Sequence, residues 1–220
     1  ALIRVLDLLR ERPEVQRRGV HIPELPKVRE FIASGRPLSN DELAAIVAET
    51  GDPELTAALA WSRAVNAAIA DMVHDVPPFP WVRESLAYMV ERADMIVVSQ
   101  TPTEALVREW QEHDIDRYAK VIAGQEMGTK TEHIRWAIDE KYPQGAHKLM
   151  IGDAPGDLSA AQANGCLFYP INPGHEEESW ERFYQEAMHK FFEGAYGGAY
   201  EAALIADFEK ALPDTPPWKR

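Results

Sequence analysis

Ser99, Lys130, Asp153 and Asp157 are the side chains of this 220-residue chain whose types and positions could do chemistry. The two aspartates follow Leu149-Met150-Ile151, a short apolar run of the kind that forms a strand buried on both faces. Gly152 ends the run, and Pro155-Gly156 makes the tight turn that holds Asp153 and Asp157. Leu158 to Asn164 then reads as a helix with Gly165 as its stop. Two carboxylates therefore stand at the carboxyl end of a parallel strand, where open α/β sheets bind their ligands. Oxygen ligands with room left for water suit Mg²⁺. A purely structural turn, with Asp as turn former and helix cap, uses the same residues. Ser99 ends a second apolar run, Met95 to Val98, just before a helix start. Its hydroxyl and the N–H groups of Gln100 and Thr101 could hold a phosphate oxygen, although Thr101 as a plain helix cap explains the same residues. Lys130 follows Gly128-Thr129 at a helix start, the end that repels a cation. Such a placement calls for a partner, either a carboxylate or a phosphate, unless the lysine simply extends into water.

The elements that would carry these residues fall into two textures. From Ala1 to His74 the pattern is helical throughout. The spacing predicts one helix to Arg12 with Leu2, Val5, Leu6 and Leu9 on one face, ended by Pro13, and then a loop over Glu14 to Glu24. A second helix over Lys27–Ala33 turns Val28, Phe31 and Ile32 inward. Ser39-Asn40-Asp41-Glu42 is a capping box, and Asp52-Pro53 starts a long helix. Val76 to Pro80, with three prolines, is a linker. Beyond it helix and strand alternate, with a second capping box at Thr101-Pro102-Thr103-Glu104, a weaker strand over Tyr118–Ala123, and a last strand at Leu167-Phe168-Tyr169. Alternation of this kind predicts a parallel, layered α/β domain. From His175 onward Trp180, Phe183, Ala187 and Phe191 recur at helical spacing, which reads as core packing before it reads as a dimer surface.

Composition narrows the function. A net charge of −13 disfavours nucleic acid and anionic membranes, which both require a cationic face. It leaves room for a small anionic substrate, because one divalent cation and one lysine reverse the sign locally. The lone Cys166 rules out a disulfide within the chain and suits a cytoplasmic protein. No apolar run reaches membrane-spanning length and no signal-peptide pattern is present. The seven histidines show no paired metal-ligand spacing, and no Gly-rich loop leads into Lys-Ser or Lys-Thr, which argues against zinc, a histidine triad and a P-loop.

The order of the motifs is more specific than any one of them. A strand-terminal Ser99, then Lys130 at a helix start, then Gly152-Asp153-Ala154-Pro155-Gly156-Asp157 resembles the haloacid dehalogenase (HAD) superfamily over roughly residues 79–171. The resemblance implies a Rossmannoid three-layer parallel sheet preceded by an all-helical cap, with residues 1–76 as cap, 77–174 as core and 175–220 as a helical extension packed on the core. It implies that Ser99, with Gln100, holds a phosphoryl group and that Lys130 stabilises its charge. Asp153 would bind Mg²⁺, with Asp157 supporting the metal or Lys130. The reaction implied is Mg²⁺-dependent hydrolysis of a small phosphorylated metabolite. The charge argues against a nucleic-acid or membrane partner, and the C-terminal aromatic stripe leaves a homodimer through those helices as a further alternative. The sequence departs from the family at the nucleophile, the first Asp of an Asp-x-Asp on a strand ahead of the cap. Asp7 lies in a helical pattern without a second Asp, and Asp114-Ile115-Asp116 falls after a helix, so neither takes that role. The family's missing strand would lie between the Ser99 and Asp153 strands, which otherwise each keep an unpaired inner edge. The chain therefore reads as part of a longer protein. The competing expectation is a non-catalytic binding module that docks through Trp180 and Phe183.

Overall fold

The computed structural model describes residues 2–138, 142, 147–212, 215 and 217–219, so Ala1 of the first expected helix lies outside it. The chain divides into two compact units: residues 1–74 with 217–220, and residues 75–216.

The first unit is all helical. It contains α1 (Leu2–Glu11), α2 (Pro13–Arg17), α3 (Pro26–Ala33), α4 (Asn40–Thr50) and α5 (Pro53–Met72). Pro13, expected only as a stop, also starts α2, because proline fits the first helical position where no N–H is needed. The expected loop is therefore helical over its first residues. The caps read from the sequence are present: Ser39 Oγ accepts from Glu42 N–H, and Asp52 Oδ1 accepts from the N–H groups of Glu54 and Leu55. Val28, Phe31, Leu43, Leu55 and Leu59 form the core of this unit. Ile32, expected inward, is 44% exposed, since the buried stripe runs through Val28 and Phe31 instead. Asp7 is bound by Arg10 and Arg29, and the Arg29 hydrogen bond holds its carboxyl below the usual range. That makes Asp7 an ion-pair partner within a helical unit.

The second unit begins with α6 (Val82–Met89), followed by β1 (Ile96–Val98) and α7 (Thr103–Glu112). The expected strand over Tyr118–Ala123 is a 3₁₀ turn at Asp116–Tyr118 and then β2 (Val121–Ala123). Next come α8 (Lys130–Ile138), β3 (Leu149–Gly152), α9 (Pro155–Ala163) and β4 (Leu167–Pro170). The C-terminal helices are α10 (Glu176–Arg182), which continues through a π-helical turn at Phe183–Ala187 into α11 (Met188–Phe192), and then α12 (Ala199–Ala211). Phe183, Ala187, Met188 and Tyr196 are completely buried and join Tyr169, Ile171, Leu86 and Met89 in one core. The aromatic stripe is thus core, as its spacing suggested. No helix among the described residues is long and apolar enough to cross a membrane.

The strands pair in parallel as two ladders, β1 with β2 and β3 with β4. No hydrogen bond joins β1 to β3 among the described residues, as expected where the strand that would lie between them is missing. Main-chain groups of a parallel strand alternate between its two sides. Met95 and Ser99 bond toward β2, and Lys148 and Gly152 bond toward β4. Ile96 and Val98, and likewise Leu149 and Ile151, therefore direct their main-chain groups to the other side. There they have no partner among the described residues, and both strands are only half-buried. On the opposite flank, Phe168 of β4 is covered: its N–H donates to Glu201 and its carbonyl accepts from the Tyr196 hydroxyl.

Candidate active site

The site is built on the turns that leave β1 and β3, joined by the start of α8. After β3 the chain turns sharply at Gly152, where a Cβ would come within 2.5 Å of the Asp157 Cβ. Only glycine lets Asp157 fold back so close to the strand. Asp157 Oδ2 then accepts from the N–H groups of Asp153 and Ala154, at 3.1 and 3.2 Å, which caps α9 where Pro155 leads in. Its other oxygen, Oδ1, accepts from Lys130 Nζ. The Asp157 side chain is 3% exposed and that of Lys130 is 25% exposed, so this ion pair is largely withdrawn from water. Here is the partner that a lysine at a helix N-terminus required. At the same helix start, the Glu132 carboxylate accepts from Thr129 N–H and Oγ1.

Of the two roles expected for Asp157, the geometry provides the one toward Lys130. The two Asp157 oxygens already accept from three donors, two on Oδ2 and Lys130 on Oδ1, so one acceptor site on Oδ1 is left over. Asp153 is the opposite case. Its main chain serves the turn, while its exposed side chain makes no hydrogen bond or ion pair with the described residues. Among the described residues no group of three or more His, Cys, Asp or Glu side chains is gathered to hold a metal. One free carboxylate at a strand end still fits Mg²⁺, which commonly takes one or two carboxylates and completes its shell with water and phosphate oxygens.

At the end of β1, Ser99 N–H bonds to Ala123 and its Oγ accepts from Thr101 N–H at 3.1 Å. The hydroxyl proton of Ser99 is therefore left to donate elsewhere, whereas the Thr101 N–H is engaged. The Gln100 side chain reaches the Gly128 carbonyl at 3.4 Å, a long contact that links the Ser99 turn to the segment entering α8. Lys130, Asp157 and the Asp153 main chain are thus brought together directly, and Ser99 is tied to them through Gln100 and Gly128. The capping box expected at Thr101 is not formed. α7 starts at Thr103, and the acceptor for Thr103 N–H and Oγ1 is Glu126 Oε2, at 3.0 and 2.8 Å. Sequence reasoning missed Glu126 because a cap is sought next to the helix and this one lies 23 residues away. The one local signal was Gly124: a Cβ there would stand 2.4 Å from Thr103 Oγ1 and 2.7 Å from the Thr101 carbonyl. Asp114 and Asp116, which have the Asp-x-Asp spacing, lie past α7, and Asp114 pairs with Arg117 at 2.8 Å.

Relatives carry a similar stretch of sequence. The chain is 35% identical over 107 residues to a 5'-nucleotidase of Pseudomonas aeruginosa, a match covering 46% of this chain and 48% of that protein. It is 24% identical over 102 residues to a phosphoglycolate phosphatase of Aliivibrio fischeri, covering 44% and 45%. The chain thus spans about half the length of the curated relatives it matches. A family profile of haloacid dehalogenase-like hydrolases matches residues 30–170, which takes in Ser99, Lys130, Asp153 and Asp157, and the chain belongs to that family.

Proposed function

We propose that the protein is a Mg²⁺-dependent phosphatase acting on a small phosphorylated metabolite, with the helical unit of residues 1–74 as its cap. The observation that carries the reading is the withdrawn Lys130–Asp157 pair beside the Asp153 carboxylate at the end of β3, which is unpaired among the described residues. Phosphoryl transfer needs little from a protein beyond positioning and charge neutralisation. Each residue has a part in that. The Ser99 hydroxyl, its oxygen held by Thr101 N–H, donates to a phosphoryl oxygen, with Gln100 beside it. Lys130 is held in place by Asp157 and opposes the charge that spreads over the phosphoryl group. Asp153 would hold Mg²⁺, which when bound supplies a second positive charge to the phosphoryl oxygens.

The nucleophile in this reading is a carboxylate on a strand that runs between β1 and β3, supplied by a segment outside these 220 residues. Ile96, Val98, Leu149 and Ile151 offer that strand two edges that are unbonded among the described residues. His133 on α8, a helix that packs on β1 and α9, adds support. It is 4% exposed, and neither ring nitrogen has a partner among the described residues, a rare condition for buried polar groups. The competing reading, a binding module docking through Trp180 and Phe183, is disfavoured because Phe183 is completely buried with Trp180 packed edge-on against it.

The names of the relatives supply the substrates to try. The full-length protein is expected to release phosphate from a 5'-nucleotide or from 2-phosphoglycolate with Mg²⁺ present, and to stop when the metal is chelated. Release that is indifferent to chelation, or absent with both esters and a generic aryl phosphate, contradicts the proposal.

A further inference from the structure

We infer that Glu126 is a positioning residue for the Ser99 turn, and that it does so by occupying the anion-attracting start of α7. This rests on the phosphatase reading above. α7 spans ten residues, and its first N–H groups have no partner within the helix and carry the positive end of its dipole. A phosphate dianion arriving at Ser99 would meet that helix start four residues away in the chain. Thr103 N–H and Oγ1 instead donate to Glu126 Oε2, at 3.0 and 2.8 Å. The Thr103 N–H is the main reason the Glu126 carboxyl lies below its ordinary range, so the group is an anion at neutral pH. Gln125 Nε2 lies at 3.5 Å from the second oxygen, Oε1.

Two further contacts tie the same segments together. Gln125 N–H donates to the Thr101 carbonyl at 3.0 Å, and the close approach at Gly124 brings the β2 exit against Thr101 and Thr103. The turn holding Ser99 is therefore clamped from the neighbouring strand. Glu126 closes that clamp and supplies a fixed negative charge where a phosphoryl group would otherwise be drawn out of register. The phosphoryl group is left to the Ser99 hydroxyl and Lys130.

The test compares Glu126→Ala with Glu126→Gln in the full-length protein. A Gln side-chain oxygen can still accept from Thr103, whereas Ala leaves α7 open to anions. Glu126→Ala is expected to lower kcat about tenfold or more with KM changed about twofold at most, and to strengthen inhibition by inorganic phosphate. Glu126→Gln should recover kcat to within about threefold of the wild type. Wild-type kcat in Glu126→Ala, or an equal loss in both variants, overturns the inference. Backbone amide NMR of the same proteins decides it independently of turnover. The Ser99, Gln100 and Thr101 resonances should move in Glu126→Ala and stay near wild type in Glu126→Gln, and unmoved resonances in Glu126→Ala overturn it. If the wild type hydrolyses no phosphate ester, the phosphatase reading fails while the NMR comparison still decides the role of Glu126.

Discussion

The turns after β1 and β3 solve one problem with the same two parts. Each has a glycine with no room for a Cβ, and each has a carboxylate that accepts main-chain N–H groups at the entry to the next helix. At β3 both parts, Gly152 and Asp157, belong to the turn itself, and the carboxylate is buried. At β1 both are borrowed from the exit of β2, as Gly124 and Glu126, and the carboxylate is exposed. The difference lies in what the second oxygen does. That of Asp157 anchors the lysine, whereas that of Glu126 makes only a long contact with its neighbour Gln125. A self-contained turn can carry a buried charge pair, whereas a borrowed one carries an exposed charge and shapes the loop beside it.

The largest effect should come from breaking the β3 turn's ion pair. Lys130→Met leaves Asp157 buried without its cation, a change that costs about 3–5 kcal/mol in comparable pairs, and the low end fits a lysine that is partly exposed. Denaturant unfolding measures it. The double variant Lys130→Met with Asp157→Asn should lose less than the single one, and a larger loss would show that the pair is not coupled. Next come the glycines. Gly152→Ala and Gly124→Ala each force a backbone shift and should cost about 1–3 kcal/mol, the usual range for overpacking. Gly152→Ala should also displace Lys130 through Asp157, whereas Gly124→Ala should disturb Ser99, a contrast that amide shifts at the two sites will show.

The smallest effect is acid sensitivity at the β1 turn. The Thr103 N–H lowers the Glu126 pKa from its ordinary 4.5. A carboxyl whose native pKa is depressed stabilises the fold fully above its unfolded pKa. That part is lost as pH falls from about 4.5 through the lowered native value. Because Glu126 is exposed, the amount should stay below about 1 kcal/mol. Unfolding curves across that window should be steeper in pH for wild type than for Glu126→Gln, and equal slopes would remove the cap from the account.

What could be read from the sequence follows from how local each interaction is. Ser39, Asp52 and the Gly152-to-Asp157 turn bond within four residues, and all three were legible. Lys130 was legible as a misfit with its helix dipole, which called for a partner without naming it. Glu126 was not, since its partner comes from another strand exit. Pro13 was half legible, because a proline that ends one helix can start another. The family resemblance supplied the order Ser99, Lys130, Asp153 and a role for Asp157 toward the metal or Lys130, but not the two main-chain N–H groups that Asp157 also accepts from. The unpaired edges of β1 and β3 were expected from the missing Asp-x-Asp strand, and the two separate ladders agree with that expectation.

The most direct test of the account sets Asp153→Asn beside Asp157→Asn in the full-length protein, with Mg²⁺-dependent phosphate release and Tm measured on both. The account predicts that Asp153→Asn loses turnover by about a hundredfold or more at an unchanged Tm, since its side chain bonds to none of the described residues, while Asp157→Asn lowers Tm as well. Wild-type turnover in Asp153→Asn would contradict it.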